Sequence, residues 1–159
     1  MTVRGPAGEA VELTAAGLAD AADRIARLLP PGERREILVL GGALEEPATR
    51  ALLSWATVAG AALLLEPDAA NVLGTAVWAR PTVFAGTADE AARLRRAAER
   101  HDRGWLRRLR RPGVPFGRLH SVLVTEPGPL PREDEDFWRR RGVAVRSLPQ
   151  CGIAWYISR

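Results

Sequence analysis

The stretch Ile37-Leu38-Val39-Leu40, followed at once by Gly41-Gly42, decides the fold. A strand with one solvent-exposed face alternates apolar and polar residues, whereas a strand covered on both faces is apolar throughout. Four consecutive apolar residues that end at a glycine pair therefore predict a central strand of a parallel sheet, buried on both sides.

The segments on either side of this run alternate between strand and helix patterns. Strands separated by helices of ten to fifteen residues are typical of βαβ units. We therefore expect an α/β fold with three layers, in which a mostly parallel sheet of about five to six strands carries helices on both faces. The predicted helices cover residues 15–29, 46–59, 69–79, 87–100, 101–111 (a separate helix or an extension) and 132–141, and the predicted strands cover 11–13, 37–40, 62–65, 82–85, 121–125, 143–146 and 153–158.

Local signals mark where helices begin. Thr14 can cap the first helix, and Thr87-Ala-Asp-Glu90 forms a capping box that opens a later one. No internal repeat and no low-complexity linker interrupts the pattern, so we expect residues 1–159 to form one domain.

The composition excludes several kinds of chemistry. All 23 basic residues are arginine, and the 159 residues contain no lysine. Schiff-base catalysis and any phosphate-clamping lysine are therefore excluded. The single cysteine, Cys151, cannot form an internal disulfide, and no apolar stretch resembles a signal peptide or a membrane span. A cytoplasmic protein without membrane contact is the expected setting.

Positive charge is concentrated in residues 93–118, which hold ten arginines and two acids, a net charge of +8. A solvated helical face is the plainer interpretation, and an acidic or nucleic-acid partner is the alternative, with nucleic acid the less expected of the two. The candidate basic patch consists of Arg93, Arg95, Arg96, Arg100, Arg107, Arg108, Arg110 and Arg111.

Catalytic and metal-binding candidates are sparse. His120 and Cys151 could nominally form a nucleophilic pair, but a lone cysteine is more often a small buried hydrophobe. His101 lies in the arginine-rich region. The acidic residues 133–136 stand at the start of a predicted helix, where carboxylates favour the helix dipole. We therefore predict neither a catalytic residue nor a metal site.

Several segments, taken in order, resemble AMP-forming acyl-CoA synthetases of the adenylate-forming superfamily. The loop at residues 125–131, Thr-Glu-Pro-Gly-Pro-Leu-Pro, is similar to that family's Ser-Gly-Gly-Ala-Pro-Leu-Pro loop. Arg-Pro-Thr at 80–82 and Gly-Ala at 60–61 match two of its strands, and Gly5-Pro-Ala-Gly8 resembles its phosphate loop. The resemblance implies degenerate nucleotide-binding positions at Gly5, Gly8, Thr125, Glu126, Pro127, Gly128 and Gly152.

The departures from the family pattern bear on activity. The phosphate loop has no hydroxyl residue and no lysine, and it carries Glu9 beside the expected triphosphate. The motif whose glutamate holds magnesium in the family becomes Cys151-Gly-Ile-Ala-Trp155 or, without a gap, Pro149-Gln-Cys-Gly-Ile153, and neither alignment retains that glutamate. The family's adenine-contacting Gly-Gly-Ala-Pro becomes Glu126-Pro-Gly-Pro129, in which proline at 127 removes a backbone donor.

These departures predict a truncated, degenerate and non-catalytic relative that serves in binding or assembly, with no cofactor expected. The alternatives are a regulator that binds ATP, AMP or an acyl ligand, an arginine-rich binder of nucleic acid or an acidic partner, and an enzyme completed by a synthetase-like partner chain. Because a sheet of this kind exposes its edges, two outcomes are open: a two-fold homodimer, or a monomer whose last strand closes the sheet edge. Trp155 and Tyr156 are candidates to cover one edge.

Overall fold

The computed structural model describes residues 2–4, 10–12, 14–29, 36–41, 47–66, 68, 70–105, 116–126 and 130–148. The predicted strand at 153–158 lies outside them. In chain order the elements are β1 (Thr2–Arg4), β2 (Ala10–Glu12), α1 (Ala15–Leu28), β3 (Ile37–Gly41), α2 (Pro47–Val58), β4 (Ala62–Glu66), α3 (Val72–Ala79), β5 (Val83–Gly86), α4 (Ala88–Trp105), β6 (Ser121–Val124), α5 (Arg132–Arg140) and β7 (Ala144–Ser147).

Five strands form one parallel sheet in the order β4-β3-β5-β6-β7. The α/β class and the strand number are thereby confirmed. β1 and β2 form a separate antiparallel pair. Sequence patterning did not predict β1, because a strand of three residues is too short to show a period.

The predicted central strand is buried on both faces. Leu38 and Leu40 pack on one face with Trp55, in a cluster built from α1, α2 and the sheet. Val39 points to the other face, where Phe84 and residues of α3, α4 and α5 form the second cluster. The two clusters place helices on opposite faces of the sheet and account for the unbroken apolar run.

The helix boundaries follow the predicted signals. Thr14 caps α1, and its Oγ1 accepts a hydrogen bond from the Gly17 N–H at 3.0 Å. α4 runs without a break to Trp105, so the segment after residue 100 extends that helix as far as it is described. None of the described helices combines the length and apolarity that crossing a membrane requires.

α5 is anchored by two aromatic residues within a mostly charged sequence. Phe137 and Trp138 are buried, and their rings meet edge to face with centroids 5.0 Å apart. Phe116 meets Trp138 in the same manner at 6.4 Å. Burial of these rings fixes the charged side of α5 toward solvent and toward α4.

Arg95 joins α4 to α5 through a network of carboxylates. Its side chain is only 13% exposed and pairs with Asp134, which is buried, and with Glu99 at 2.8 Å and Glu133 at 3.3 Å. Burial lowers the pKa of the Arg95 guanidinium, but the charges of these three acids outweigh burial and raise that pKa above its ordinary value. Arg95 therefore stays charged and holds the two helices together.

We expect Asp134→Ala to lower the free energy of unfolding by about 2–3 kcal/mol, because it removes the buried partner of a cation that is itself mostly shielded from water. Urea denaturation measures the loss. Glu133→Ala is the matched control, since that carboxylate is 73% exposed and should cost less than about 0.5 kcal/mol. Equal losses in the two variants would contradict the assigned role of Asp134.

Candidate functional site

The strand order places a crevice at the carboxyl ends of β3 and β5. The chain leaves β3 for β4 on one side and then returns to β5 on the other side of β3. In open α/β sheets such a reversal of strand order separates the loops that follow the two neighbouring strands, here β3 and β5. Ligands bind in the gap between those loops. The described ends of these strands, at Gly41 and Gly86, together with Thr125 and Glu126 after β6, form the candidate site.

The carboxylate of Glu90 lies in this crevice. β3 ends at Gly41 and β5 ends at Gly86, immediately after the paired residues Leu40 and Ala85. A Cβ atom built on Gly41 would stand 2.7 Å from Glu90 Oε2, and one built on Gly86 would stand closer still. Two glycines are therefore needed for this carboxylate to reach the sheet.

Hydrogen bonds at the start of α4 hold Glu90 in place. The Thr87 N–H donates to Glu90 Oε2 at 2.8 Å, and the Glu90 N–H donates to Thr87 Oγ1 at 3.2 Å. This reciprocal pair is the predicted capping box, which is thereby confirmed. The same glutamate thus caps its own helix and fills the gap between β3 and β5.

A second carboxylate faces the same helix end. The Thr125 N–H donates to the Gly86 carbonyl at 2.9 Å and continues the contact between β5 and β6. The next residue, Glu126, places Oε2 3.4 Å from the Ala88 N–H, a distance at which the attraction is mainly electrostatic. The positive end of the α4 dipole is therefore shared between Glu90 and Glu126.

Acidic side chains also bond within the turn between β4 and α3. The Ala70 N–H donates to Asp68 Oδ1 at 2.9 Å, and the Asp68 N–H donates to Glu66 Oε1 at 3.2 Å. Thr75 of α3 donates its hydroxyl to Glu66 Oε2 at 3.1 Å. Asp68 and Glu66 therefore hold the turn before α3 and the Thr75 hydroxyl, while no described side chain caps α3 itself.

This arrangement disfavours an anionic ligand. A helix N-terminus binds phosphate because its unpaired N–H groups and its dipole attract negative charge. At the start of α4, carboxylates already occupy those positions. A phosphate at this part of the edge would have to displace Glu90 or approach Glu126.

The predicted nucleotide positions fall into two groups. Thr125 is buried at the end of β6, and Glu126 is exposed beside α4, so both border the crevice. The other five predicted positions lie outside the described residues. They are Gly5, Gly8, Pro127, Gly128 and Gly152.

The predicted basic patch also divides. Arg93, Arg96 and Arg100 are exposed on α4, whereas Arg95 turns toward α5 and its acids. The remaining four arginines, Arg107, Arg108, Arg110 and Arg111, lie outside the described residues. The described part of the patch is thus a row of three exposed arginines on one helix.

His120 lies at the amino-terminal edge of the sheet, opposite the crevice. Its Nε2 is 3.0 Å from Glu36 Oε2, and its Nδ1 is 2.9 Å from Ser121 Oγ. Thr82 also donates its hydroxyl to Glu36 and accepts from the Ile37 N–H at 2.8 Å. These hydrogen bonds join the starts of three strands. Ser121 is buried, so its hydroxyl is not an accessible nucleophile.

Cys151, the suggested partner of His120, lies outside the described residues.

Metal ligands are not grouped in the described ranges. No three histidine, cysteine or carboxylate residues there could hold one ion together. Sequence reasoning did identify Glu90, but only as a helix cap. Its place between Gly41 and Gly86 depends on two residues distant in sequence, and the only local signal was that each glycine ends a predicted strand.

Comparison with known proteins finds likeness in structure alone. No protein-family model matches the chain, and no curated protein matches its sequence. The fatty acyl CoA synthetase of Mycobacterium tuberculosis matches with a TM-score of 0.65 and 17% identity, over 86% of this chain and 25% of that one. The o-succinylbenzoate coenzyme A synthetase (MenE) of Bacillus subtilis, in complex with AMP, matches with a TM-score of 0.61 and 17% identity, over 86% of this chain and 26% of that one.

A nonribosomal peptide synthetase, FmoA3, matches with a TM-score of 0.66 and 16% identity, over 91% of this chain and 15% of that one. The chain therefore has the fold of a segment of these synthetases, and the predicted resemblance is confirmed at the level of the fold. It spans about a quarter or less of each of these three structures.

We expect Gly86→Ala to destabilise the fold by about 1–3 kcal/mol, because the new methyl group forces the Glu90 carboxylate out of the crevice. In a Glu90→Ala background the same change should cost at least about 1 kcal/mol less, leaving the milder contact with the Phe84 ring, which lies 3.3 Å from the added Cβ. A double-mutant cycle by chemical denaturation measures this coupling.

Gly74→Ala is the matched control for that cycle. Gly74 lies within α3, and an added Cβ meets no atom within 4 Å. Since alanine favours a helix by about 1 kcal/mol over glycine, this variant should be neutral or stabilised in both backgrounds. Additive effects of Gly86→Ala and Glu90→Ala would show that the carboxylate does not sit against Gly86.

Proposed function

We propose that this chain is a single-domain, non-catalytic, synthetase-like module that works in the cytoplasm by binding or assembly. The observation that carries the proposal is the crevice at β3 and β5, which Glu90 fills from within. A site that the chain closes with its own carboxylate is poorly suited to a nucleotide.

The chemistry of adenylation supports the same conclusion. Transfer of an adenylyl group develops negative charge on the phosphates, and positioned cations or donors must stabilise that charge. Here Glu90 and Glu126 share the donors at the start of α4, and the sequence supplies no lysine. The local field opposes the charge that catalysis would create.

Two alternatives require this crevice to open. A regulator that binds ATP, AMP or an acyl ligand would need Glu90 to leave its place against Gly41 and Gly86. An enzyme completed by a synthetase-like partner chain would need the same movement, with the partner supplying cations. Both predict nucleotide or acyl binding where the non-catalytic module predicts none.

Titration of the full chain with ATP and magnesium, AMP and acyl-CoA, followed by calorimetry and amide NMR, separates these possibilities. We expect no saturable heat and no shifts at Gly41, Gly86 or Thr125 at millimolar ligand. Saturable binding that shifts those amides would overturn the proposal in favour of the regulator.

The matched variant for this titration is Glu90→Gln combined with Glu126→Gln. Glutamine keeps the capping box and the side-chain shape but removes both charges. If repulsion by the two carboxylates excludes nucleotides, the double variant should bind AMP more tightly than the native chain. If neither protein binds AMP, the shape of the crevice, rather than its charge, excludes the nucleotide.

A second candidate function, binding of an acidic partner, is favoured by the three exposed arginines of α4, Arg93, Arg96 and Arg100. Retention on heparin and on duplex DNA should then weaken steeply with salt, because each phosphate or sulfate contact releases counterions. Replacing the three by glutamine should shorten retention, while Arg24→Gln on α1 should not. Retention on heparin and DNA that does not change with salt concentration would rule this candidate out.

A further inference from the structure

β4 forms one edge of the parallel sheet. Among the described residues it pairs only with β3, and its five residues are all half-buried. Leu63 and Leu65 pack toward the α1 and α2 side, and Leu64 packs toward the α3 side. The strand is thus anchored on both faces while its outer edge is unpaired within the described part of the chain.

The backbone pattern shows which groups face outward. The Ala62 N–H donates to the Glu36 carbonyl at 2.8 Å, so Ala62, Leu64 and Glu66 direct their backbone groups toward β3. Because alternate residues of a strand point their N–H and C=O groups in opposite directions, Leu63 and Leu65 direct theirs away from the sheet. Two donors and two acceptors therefore line the outer edge.

Most of this edge lacks the features that usually prevent strand pairing. Residues 62–65 contain no charge, no proline and no bulge, and a charge and a proline come only at the end of the strand, at Glu66 and Pro67. The helices that precede and follow β4 in the chain also expose large apolar side chains: Val58 of α2 is 79% exposed and Trp78 of α3 is 77% exposed. The opposite edge, β7, carries the exposed side chain of Arg146.

We propose that β4 pairs antiparallel with β4 of a second copy of this chain, about a two-fold axis at Leu64. Leu63 of each copy then lies opposite Leu65 of the other, and each such pair exchanges two hydrogen bonds. All four outward backbone groups of each copy are satisfied. The two sheets join into one of ten strands.

Neighbouring registers are less favourable for reasons of backbone chemistry. Centring the axis on Leu63 would place Ala61 opposite Leu65, but the Ala61 N–H already donates to the Ala56 carbonyl at 2.9 Å. Centring it on Leu65 would place Pro67 opposite Leu63, and proline has no N–H to donate. Only the Leu64 register uses every outward group of the strand.

A second copy fits this edge because the edge is complementary to itself. In the proposed register leucines lie opposite leucines on the α1 and α2 side, and Leu64 lies opposite Leu64 on the other side, so no like charges oppose each other along 63–65. The inference uses the sheet edge alone and is independent of whether the crevice binds a nucleotide.

Sedimentation equilibrium of the full chain tests the pairing. We expect a monomer–dimer equilibrium, and Leu63→Pro should raise the dissociation constant by about tenfold or more, because it removes an outward donor without removing a bond to β3. Val145→Pro is the matched control: the Ala144 N–H donates to β6, so Val145 directs its N–H outward on the other edge. Circular dichroism verifies that both variants fold.

Cysteine cross-linking tests the register without proline. In a Cys151→Ser background, Leu64→Cys places two thiols at the two-fold axis, where opposed Cα atoms lie about 4.5 Å apart and can form a disulfide. Leu63→Cys puts them about 8 Å apart and should cross-link poorly. We expect an oxidised dimer with the first variant and little with the second.

Three results would overturn the proposal. A strictly monomeric native chain excludes a second copy, and protection of the Leu63 and Leu65 amides from exchange in that monomer would identify another segment of the chain as the occupant. Loss of dimer in Val145→Pro but not in Leu63→Pro would move the interface to β7. Cross-linking through Leu63→Cys rather than Leu64→Cys would exclude the register.

Discussion

Burial of β3 on both faces is the constraint on which the rest of the structure depends. Leu38, Val39 and Leu40 are all inaccessible to solvent, so the strand requires a helix layer above and another below. Right-handed crossovers satisfy that requirement by placing the helix between β3 and β4 on one face and the later helices on the other. The order β4-β3-β5-β6-β7 and the crevice beside β3 follow from this arrangement.

The same arrangement determines the chemistry of the carboxyl edge. Parallel strands bring their following loops together, and α3 and α4 begin there with unpaired N–H groups. Ligand-binding folds use such groups to hold anions, whereas this chain satisfies those at the start of α4 with Glu90 and Glu126. The carboxyl edge of the sheet therefore carries negative charge beside the N-terminus of α4.

Much of the fold could be predicted because its signals are local. The run at 37–40 and the cap at Thr14 each depend on residues a few positions apart, and the structure confirms them. The burial of Trp138 was harder to predict, since charged residues surround it in sequence. Its place in the core depends on Phe116, which comes from a distant turn.

The sequence by itself determined the α/β class, the alternation of strands and helices, the capping box at Thr87 and Glu90, and the absence of lysine chemistry, because these depend on composition and short spacings. Only the tertiary structure decided that Glu90 fills the crevice, that Arg95 pairs with Asp134 instead of serving the basic surface, and that β4 lies at the edge. Each of these outcomes depends on which strands and helices become neighbours. That choice follows from crossover handedness and from burial of both sheet faces, which bring together residues that are far apart in the chain.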